Sequence, residues 1–271
     1  ITIEDGYNFV PLGTESNPFT GSFDGNGYTI SNLNIDSLFE NAGLFGAVDS
    51  ATIKNLNITN ASINTVSDKA GVLAGSVIGN ANINSINISG KVNSTANYTG
   101  GLIGNVSSGS LNTINITDIN VELEELNANN YTAGVIGSLT NTLDGTVKLN
   151  NVKSNSNITG KDYTAGLIGY VDNVSVGKIE ITNSYSYGNV EGVNYVGGLI
   201  GHVKGNLAGL IDISKTYVNA KVLGSKYSGG LIGLANYINL SNSASIGNIG
   251  GTDYTGGLIG QVTDSYIDAT Y

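Results

Sequence analysis

The sequence predicts an all-β fold, a parallel β-helix with about one coil for every 27–33 residues and three short strands per coil. The first observation is a four-residue phrase, usually Gly-Leu-Ile-Gly, that occurs eight times at nearly even spacing. Self-similarity with a period of this length is typical of solenoids. The copies begin at Gly43, Gly71, Gly101, Gly134, Gly166, Gly198, Gly230 and Gly257.

The second observation is a set of apolar residues at a fixed distance before the phrase. They come in pairs separated by one residue, and this period-two alternation indicates a strand with one buried face. We assign these residues to the first strand of the coil. The pairs are Val147 with Leu149, Ile179 with Ile181, Ile211 with Ile213, and Ile238 with Leu240.

A shorter second strand is predicted closer to the phrase. It contains apolar residues such as Ile158 and Val190, and two residues later most copies have a glycine, for example Gly160 and Gly192. Glycine takes positive φ without a steric penalty, so we expect these glycines to form the corner that ends the strand.

The phrase itself is predicted to form the third strand. Leu and Ile are adjacent in it, and a straight strand would turn one of them outward. Either the flanking glycines bend the chain so that both side chains enter the core, or the next segment covers the outer face; we favour the bend. Helix is disfavoured, because β-branched residues, Asn and Gly dominate every repeat and no apolar stripe of helical period persists.

A tyrosine stands three residues before the phrase in six consecutive copies. Stacked in register, these rings would form an aromatic ladder in which each pair contributes about 0.5–1.5 kcal/mol beyond area burial. We expect a structural role; a sugar-stacking platform is the functional alternative, although the chain has no tryptophan. The tyrosines are Tyr98, Tyr131, Tyr163, Tyr195, Tyr227 and Tyr254.

The position before each tyrosine is mostly Asn or Asp. These residues tolerate left-handed backbone and hydrogen-bond locally, which predicts a corner ladder. Their oxygens also suit calcium, so a calcium string along this edge is the alternative, although neutral copies separate the two carboxylates. We predict no other cofactor. The residues are Asn97, Asn130, Asp162, Asn194, Lys226 and Asp253.

Three glutamates, Glu122, Glu124 and Glu125, fall in the longest repeat, between Gly101 and Gly134. We expect the extra residues of that repeat to form a loop here, and binding residues tend to collect on such insertions. The sequence therefore predicts an acidic loop that is either solvated or faces a partner.

Charge and composition exclude several kinds of partner. The chain has 21 acidic and 11 basic residues, a net charge of −10, and its basic residues are all lysines. Nucleic acid and anionic lipid would repel such a surface, so we expect neither nucleic-acid binding nor membrane insertion. Cysteine is absent, which excludes disulfides and fits a secreted protein stabilised by stacking. The single histidine, His202, falls at a variable position and is expected to be exposed.

The phrase, its Tyr-Thr-Gly-Gly lead-in and the upstream strand resemble the GLUG-motif repeats of bacterial and archaeal cell-surface proteins. The segment from Phe19 to Leu33 is similar to the sequence that often precedes such repeats. Members include large adhesins, and IgA-specific metallopeptidases whose repeats lie outside the catalytic domain. The resemblance implies a right-handed β-helix that acts as a stalk or adhesive surface, and it carries over no catalytic residue.

The sequence therefore predicts a non-catalytic, extracellular repeat region of a large surface protein, either a rigid stalk or an adhesive surface for a glycan or protein of a host or neighbouring cell. The alternatives are a polysaccharide lyase or hydrolase, which would need clustered carboxylates, and an accessory region of a secreted metallopeptidase. We divide the chain into a cap-like N-terminal segment, residues 1–42, and the repeats, residues 43–271. We expect further repeats or flanking domains beyond them.

Overall fold

The computed structural model describes residues 1–4, 6–37, 41–66 and 68–268, and the regular structure in these ranges is β-strand throughout. The strands pair in parallel, each with the equivalent strand one repeat before and one repeat after it. The prediction of an all-β parallel solenoid is confirmed. None of the described residues belongs to a helix long and apolar enough to cross a membrane.

The strands in the N-terminal part of the chain include three long ones that continue around corners. In order they are β1 (Phe19–Asp24), β2 (Thr29–Ser31), β3 (Asn34–Ser37), β4 (Asn41–Ala42), β5 (Phe45–Thr65), β6 (Lys69–Ala70), β7 (Ala74–Val77), β8 (Ala81–Ser94), β9 (Thr99–Gly100), β10 (Ile103–Ser108), β11 (Thr113–Asn127), β12 (Thr132–Ala133), β13 (Ile136–Asn141), β14 (Thr146–Asn155) and β15 (Ile158–Thr159).

The remaining strands are shorter and follow a regular order. They are β16 (Thr164–Ala165), β17 (Ile168–Asn173), β18 (Lys178–Thr182), β19 (Tyr185–Glu191), β20 (Asn194–Gly197), β21 (Ile200–Lys204), β22 (Leu210–Ser214), β23 (Tyr217–Leu223), β24 (Lys226–Gly229), β25 (Ile232–Asn236), β26 (Asn239–Ser241), β27 (Ala244–Ile246), β28 (Ile249–Gly250), β29 (Asp253–Gly256), β30 (Ile259–Thr263) and β31 (Tyr266–Asp268).

Two sheets run along the axis of the solenoid. A narrow sheet takes one short strand from each level, in the order β29, β24, β20, β16, β12, β9, β6 and β4, and the other 23 strands form a second sheet around the rest of the coil. Parallel strands lie about 4.8 Å apart, so the eight levels of the narrow sheet extend over roughly 34 Å.

A complete coil contains four strands where the sequence predicted three. The coil that begins with β16 continues through β17, β18 and β19. Gly166 and Leu167 form a bend between β16 and β17, which divides the predicted third strand in two. Because of this bend, Leu167 and its neighbour Ile168 are both fully buried. The interpretation that the glycines bend the chain is therefore confirmed.

The first glycine of the phrase is required because the next coil lies against it. A Cβ atom on Gly166 would lie 1.8 Å from Ser186 Oγ and 2.2 Å from the carbonyl oxygen of Gly198, the equivalent glycine one level further. Contacts this short do not occur in folded proteins, so the phrase keeps glycine where successive backbones meet. The predicted first-strand pairs, for example Val147 with Leu149, are fully buried, which confirms that strand.

The prediction that Gly160 and Gly192 form a left-handed corner is wrong. Neither residue has left-handed backbone; the tyrosines that follow them, Tyr163 and Tyr195, do, with φ of 59° and 56°. The glycines are needed for space instead, because a Cβ atom on Gly160 would lie 2.4 Å from Thr164 Oγ1 and one on Gly192 would lie 2.8 Å from Thr164 Cβ. The chain thus turns at the tyrosine, three residues after the position that the sequence suggested.

The N-terminal segment continues the same stack. Strands β1, β2 and β3 pair in parallel with β5, and the Ile3 amide donates to the Ser31 carbonyl at 2.9 Å. Phe45 packs against Phe19 and Phe23, with ring centroids 4.7 and 5.6 Å away. This aromatic cluster belongs to one contiguous apolar core that fills the coils. Residues 38–40 of the predicted cap-like segment lie outside the described residues.

Candidate functional site

The six ladder tyrosines form one continuous stack along an edge of the solenoid. Successive ring centroids lie 4.6–5.0 Å apart and successive rings are tilted by only 3–14°. This spacing equals the separation of parallel strands, so the ladder follows directly from the in-register pairing of β9, β12, β16, β20, β24 and β29. Each inner ring is covered on both faces by its neighbours.

Because the inner rings are covered on both faces, the ladder is a poor platform for sugar stacking. A sugar stacks on the free face of an aromatic ring, whereas the inner rings of this ladder present only their edges and hydroxyls to solvent. Partial burial raises the pKa of Tyr131 and Tyr163 above the ordinary value of 10.0, and the neighbouring phenols raise it further by a smaller amount. The ladder therefore offers a column of hydroxyl groups, which can hydrogen-bond but cannot provide a stacking platform along its length.

A bulky residue with left-handed backbone is unusual, and here it occurs at six equivalent positions. The conformation costs about 1–2 kcal/mol per residue, which is similar to the gain from one stacked aromatic pair. Asparagine would adopt this backbone with less strain. We infer that the stacking offsets the strain within the ladder, and that the ladder reinforces the register set by the strand pairing.

A second aromatic column lies beside the ladder and contains Tyr170 and His202. Tyr170 contacts Tyr163 edge to face, with centroids 5.3 Å apart, and His202 stacks on Tyr195 at 5.2 Å. The expectation that His202 is exposed is wrong, because this position faces the ladder. Burial lowers the pKa of His202 below 6.5, and its Nε2 lies 3.3 Å from Asn236 Oδ1.

A polar group is attached to this column. The Tyr170 hydroxyl donates to Asp172 Oδ2 at 2.9 Å, and Lys204 Nζ lies 3.2 Å from the same oxygen. Burial and the hydrogen bond to Asp172 raise the pKa of Tyr170 far above its ordinary value. Asp172 is thus already engaged by a hydroxyl and an ammonium group, an arrangement that holds the strands together.

The corner before the ladder is a hydrogen-bonded column. Asp162 Oδ1 accepts from Asn194 Nδ2 at 2.9 Å, and the Asp162 amide donates to Asn130 Oδ1 at 3.1 Å. Lys226 continues the column and lies 4.8 Å from the ring centroid of Tyr227. Asp162 Oδ1 is thus engaged within the column. Across the ranges that the structure describes, no group of three or more Asp, Glu and His side chains could hold a metal ion.

The glutamates that were predicted to form a loop lie in a strand. Glu122, Glu124 and Glu125 belong to β11, where Glu122 pairs with Ser89 and Glu125 with Lys91. The apolar residues between and beside them face the core, and this alternation keeps the segment extended. The residue that makes this repeat longer than the next is accommodated as a β-bulge at Glu124. Whether these glutamates contact a partner stays a prediction.

The sequence reasoning missed the loops that lengthen the central repeats. Lys204 pairs with Asn236, and Asp212 pairs with Asn239. The chain therefore advances eight residues between these two pairs on one level but only three on the next. The additional residues form a loop, and the three preceding coils have an equivalent loop. The four loops comprise residues 109–112, 142–145, 174–177 and 205–209.

Hydrogen bonds close each loop and join it to the next, as where Asn141 Nδ2 donates to Asn173 Oδ1 at 3.2 Å. Buried Asn173 donates from Nδ2 to the carbonyl oxygen of Gly177 at 2.8 Å, and Asn141 makes the same bond to Gly145. Gly145 and Gly177, and Gly209 in the fourth loop, lie so close to the previous loop that a Cβ atom would clash with it. These three glycines share one offset after the phrase, and that regularity was the available sequence signal.

The stacked loops carry six exposed aliphatic side chains in a staggered arrangement, which we name the aliphatic ridge. All six are at least half exposed, whereas most aliphatic side chains of the central coils are buried. The six residues are Leu111 (81%), Leu143 (50%), Val174 (55%), Val176 (61%), Leu207 (91%) and, just after the fourth loop, Leu210 (53%).

The fold and these surfaces define an acidic β-solenoid repeat segment. A stretch of 73 residues, 26% of the chain, is 55% identical to part of halomucin from Haloquadratum walsbyi, and it spans 1% of that protein's length. No protein-family model matches the chain, and no solved structure matches it. The chain is thus similar, over a limited stretch, to a small part of a much longer protein, and the GLUG resemblance stays a prediction.

Proposed function

We propose that this segment is a non-catalytic β-helical repeat region of a large extracellular surface protein, in which it serves as a rigid stalk with a surface available for adhesion. The observation that carries the proposal is the unbroken stack. Eight levels of parallel strands enclose one contiguous core, so that each coil is held by both of its neighbours. A stack of this kind is stiff along its axis and can be lengthened by adding coils.

The exterior supports the same proposal. Asn, Ser, Thr and acidic side chains alternate with buried aliphatic ones along the strands, and the chain carries a net charge of −10. Such a surface remains hydrated and resists nonspecific association. The local similarity to halomucin supports a secreted or cell-surface location, and the eight phrases support assignment to the GLUG-type repeats.

Rigidity is tested by removing three whole repeats, residues 134–229, which joins two equivalent positions of the phrase. Spin labels are placed on Asn82→Cys and Asn239→Cys, which are exposed, occupy equivalent positions five levels apart on either side of the deletion, and are unique because the chain has no cysteine. We expect the distance between the labels to shorten by about 14 Å, three times the strand spacing. An unchanged or broadly distributed distance would contradict a rigid stack.

Surface location is tested on intact cells that express the full-length protein. Antibodies raised against this segment should label unpermeabilised cells, and brief protease treatment should release peptides of the segment into the medium. Labelling that appears only after permeabilisation would overturn the proposed location.

Adhesion and catalysis are separated by two assays on the isolated segment. An array of host and uronate-rich glycans tests direct binding, with the Glu122→Gln/Glu124→Gln/Glu125→Gln variant as a probe of the acidic strand. Incubation with uronate-rich polysaccharides, followed by measurement of new reducing ends, tests the lyase or hydrolase alternative. Turnover would refute the non-catalytic assignment, whereas absence of glycan binding would leave the stalk function alone.

A further inference from the structure

The aliphatic ridge has the properties of a contact surface. Its six side chains present on the order of 600 Å² of apolar surface, the upper end of what a soluble monomer exposes in one patch. With a polar rim, a patch of this size approaches the roughly 800 Å² per partner of a standard protein interface. The ridge is also ordered before any partner binds, because hydrogen bonds and close-packed glycines fix the four loops.

The charges beside the ridge favour a partner with the same surface. Beside the loops, the acidic side chains of β17, β18 and β22 are paired with lysines at 2.6–3.7 Å. The acidic residues of β11 carry no such partner, but they lie further along that strand, at Asp118 and beyond, away from the first loop. Asp144, within the second loop, is the remaining acidic residue of the loops that the structure describes. This edge is therefore close to neutral, although the whole chain carries a charge of −10, and two copies can approach here with little repulsion. The paired residues are Lys148 and Lys178 with Glu180, Lys178 with Asp212, and Lys204 with Asp172.

Repeat spacing also favours a second copy. The four loops follow one another at the strand spacing of about 4.8 Å. Their aliphatic side chains alternate between two neighbouring columns, one with Leu143 and Leu207 and the other with Leu111 and Val176, so projections in one column are two levels apart. A partner whose side chains fit between all of the loop side chains must repeat with the same spacing. A second solenoid of this chain meets that requirement without rearrangement.

We propose that the aliphatic ridge joins two copies of this segment side by side, with their axes antiparallel. Antiparallel packing places the same patch on both partners and closes the assembly as a dimer. The two-fold axis lies between the second and third loops. Leu111 of one copy then faces Leu207 of the other, and Leu143 faces Val176. The proposal is independent of the stalk function.

The first test compares two double variants by sedimentation equilibrium. Wild-type protein should show a monomer–dimer equilibrium with a Kd on the order of 10–100 µM, and the dimer should strengthen as NaCl screens the net negative charge. Leu143→Ser/Leu207→Ser should weaken it at least ~100-fold, because four leucines leave the interface. Val193→Ser/Ile246→Ser, which removes exposed aliphatic side chains away from the ridge, should leave it unchanged.

The substituted side chains are exposed, so all variants should keep the circular dichroism of the wild type. A wild-type protein that stays monomeric up to about 1 mM in ~1 M NaCl would overturn the proposal, since hydrophobic association should then be at its strongest. Equal dimerisation of the ridge variant and the wild type would overturn it as well.

The second test determines orientation. Leu143→Cys and Val176→Cys are made as separate single variants, mixed and oxidised mildly. Antiparallel packing predicts disulfides between position 143 of one copy and position 176 of the other. Disulfides that join position 143 to itself would refute the antiparallel geometry. Binding of monomeric wild-type protein to neutral phosphatidylcholine vesicles, lost in the Leu143→Ser/Leu207→Ser variant, would replace the second copy with a lipid surface.

Discussion

Replacement of a central ladder tyrosine tests whether ring stacking stabilises the solenoid. Tyr163 lies between Tyr131 and Tyr195, with centroid distances of 4.7 and 4.8 Å. Tyr163→Asn removes two stacked pairs, which together contribute about 1–3 kcal/mol, and part of an aromatic burial contribution of about 1–2 kcal/mol. Asparagine relieves about 1 kcal/mol of backbone strain at this position, where φ is 59°. We expect a net loss of about 2–3 kcal/mol.

Tyr254 provides the matched control. It has the same left-handed backbone, with φ of 48°, but it is 53% exposed and stacks only on Tyr227 among the described residues. Tyr254→Asn relieves the same strain and removes one exposed pair, so the two effects nearly cancel and the free energy of unfolding should change by less than about 1 kcal/mol. Tyr163→Phe, which keeps the ring, should stay close to the wild type.

The assay is equilibrium unfolding in urea followed by far-ultraviolet circular dichroism. Repeat proteins can unfold in part, so amide hydrogen exchange should accompany it and show where protection is lost. In Tyr163→Asn we expect loss of protection in the levels that contain Tyr131 and Tyr195. If Tyr163→Asn destabilises the protein no more than Tyr254→Asn does, stacking does not offset the backbone strain, and the account of the ladder is refuted.

Three further predictions concern the core and the second aromatic column. Gly166→Ala should lower the free energy of unfolding by at least ~3 kcal/mol, or prevent folding, because its Cβ atom would overlap Ser186 Oγ. Gly257 stands at the same position of the phrase with open space around it, so Gly257→Ala should leave the free energy of unfolding in urea nearly unchanged. Burial lowers the pKa of His202, so the unfolded chain binds its proton more readily; stability should fall as pH decreases below about 6.5, and thermal melts of His202→Gln should lack that part of the pH dependence. Burial and the hydrogen bond to Asp172 raise the pKa of the Tyr170 phenol, so in an alkaline absorbance titration Asp172→Asn should lower that pKa.

Much of the fold could be predicted because stacking repeats each physical requirement once per coil. The phrase glycines, the paired aliphatic residues of the first strand and the tyrosine column each appear in the sequence at constant offsets. The structure explains them as close backbone approach, core packing and in-register pairing, respectively. A residue type that recurs once per coil shows that the position is structurally constrained. It does not show whether the constraint is backbone conformation, close packing or strand pairing.

The errors arose where one residue type could satisfy two requirements. Gly160 was assigned to a left-handed corner, but its lack of a side chain is needed for contact with Thr164, and Tyr163 makes the turn. Glu124 falls in the longest repeat, whose extra residues suggested a loop, but the neighbouring aliphatic residues keep its strand extended around a bulge. The true loops carry Leu and Val at their tips, residues that sequence patterns associate with burial. Only the stacking of the loops shows that these side chains point outward.

The direction of the inter-strand hydrogen bonds has a mechanical consequence. They run along the solenoid axis, and each level is bonded only to the levels directly above and below it. Tension transmitted through the polypeptide would therefore detach the outermost turn first and release roughly 100 Å of extended chain before the next turn yields. A protein built in this way would absorb a sudden pull in small successive steps and rewind turn by turn when the tension ends.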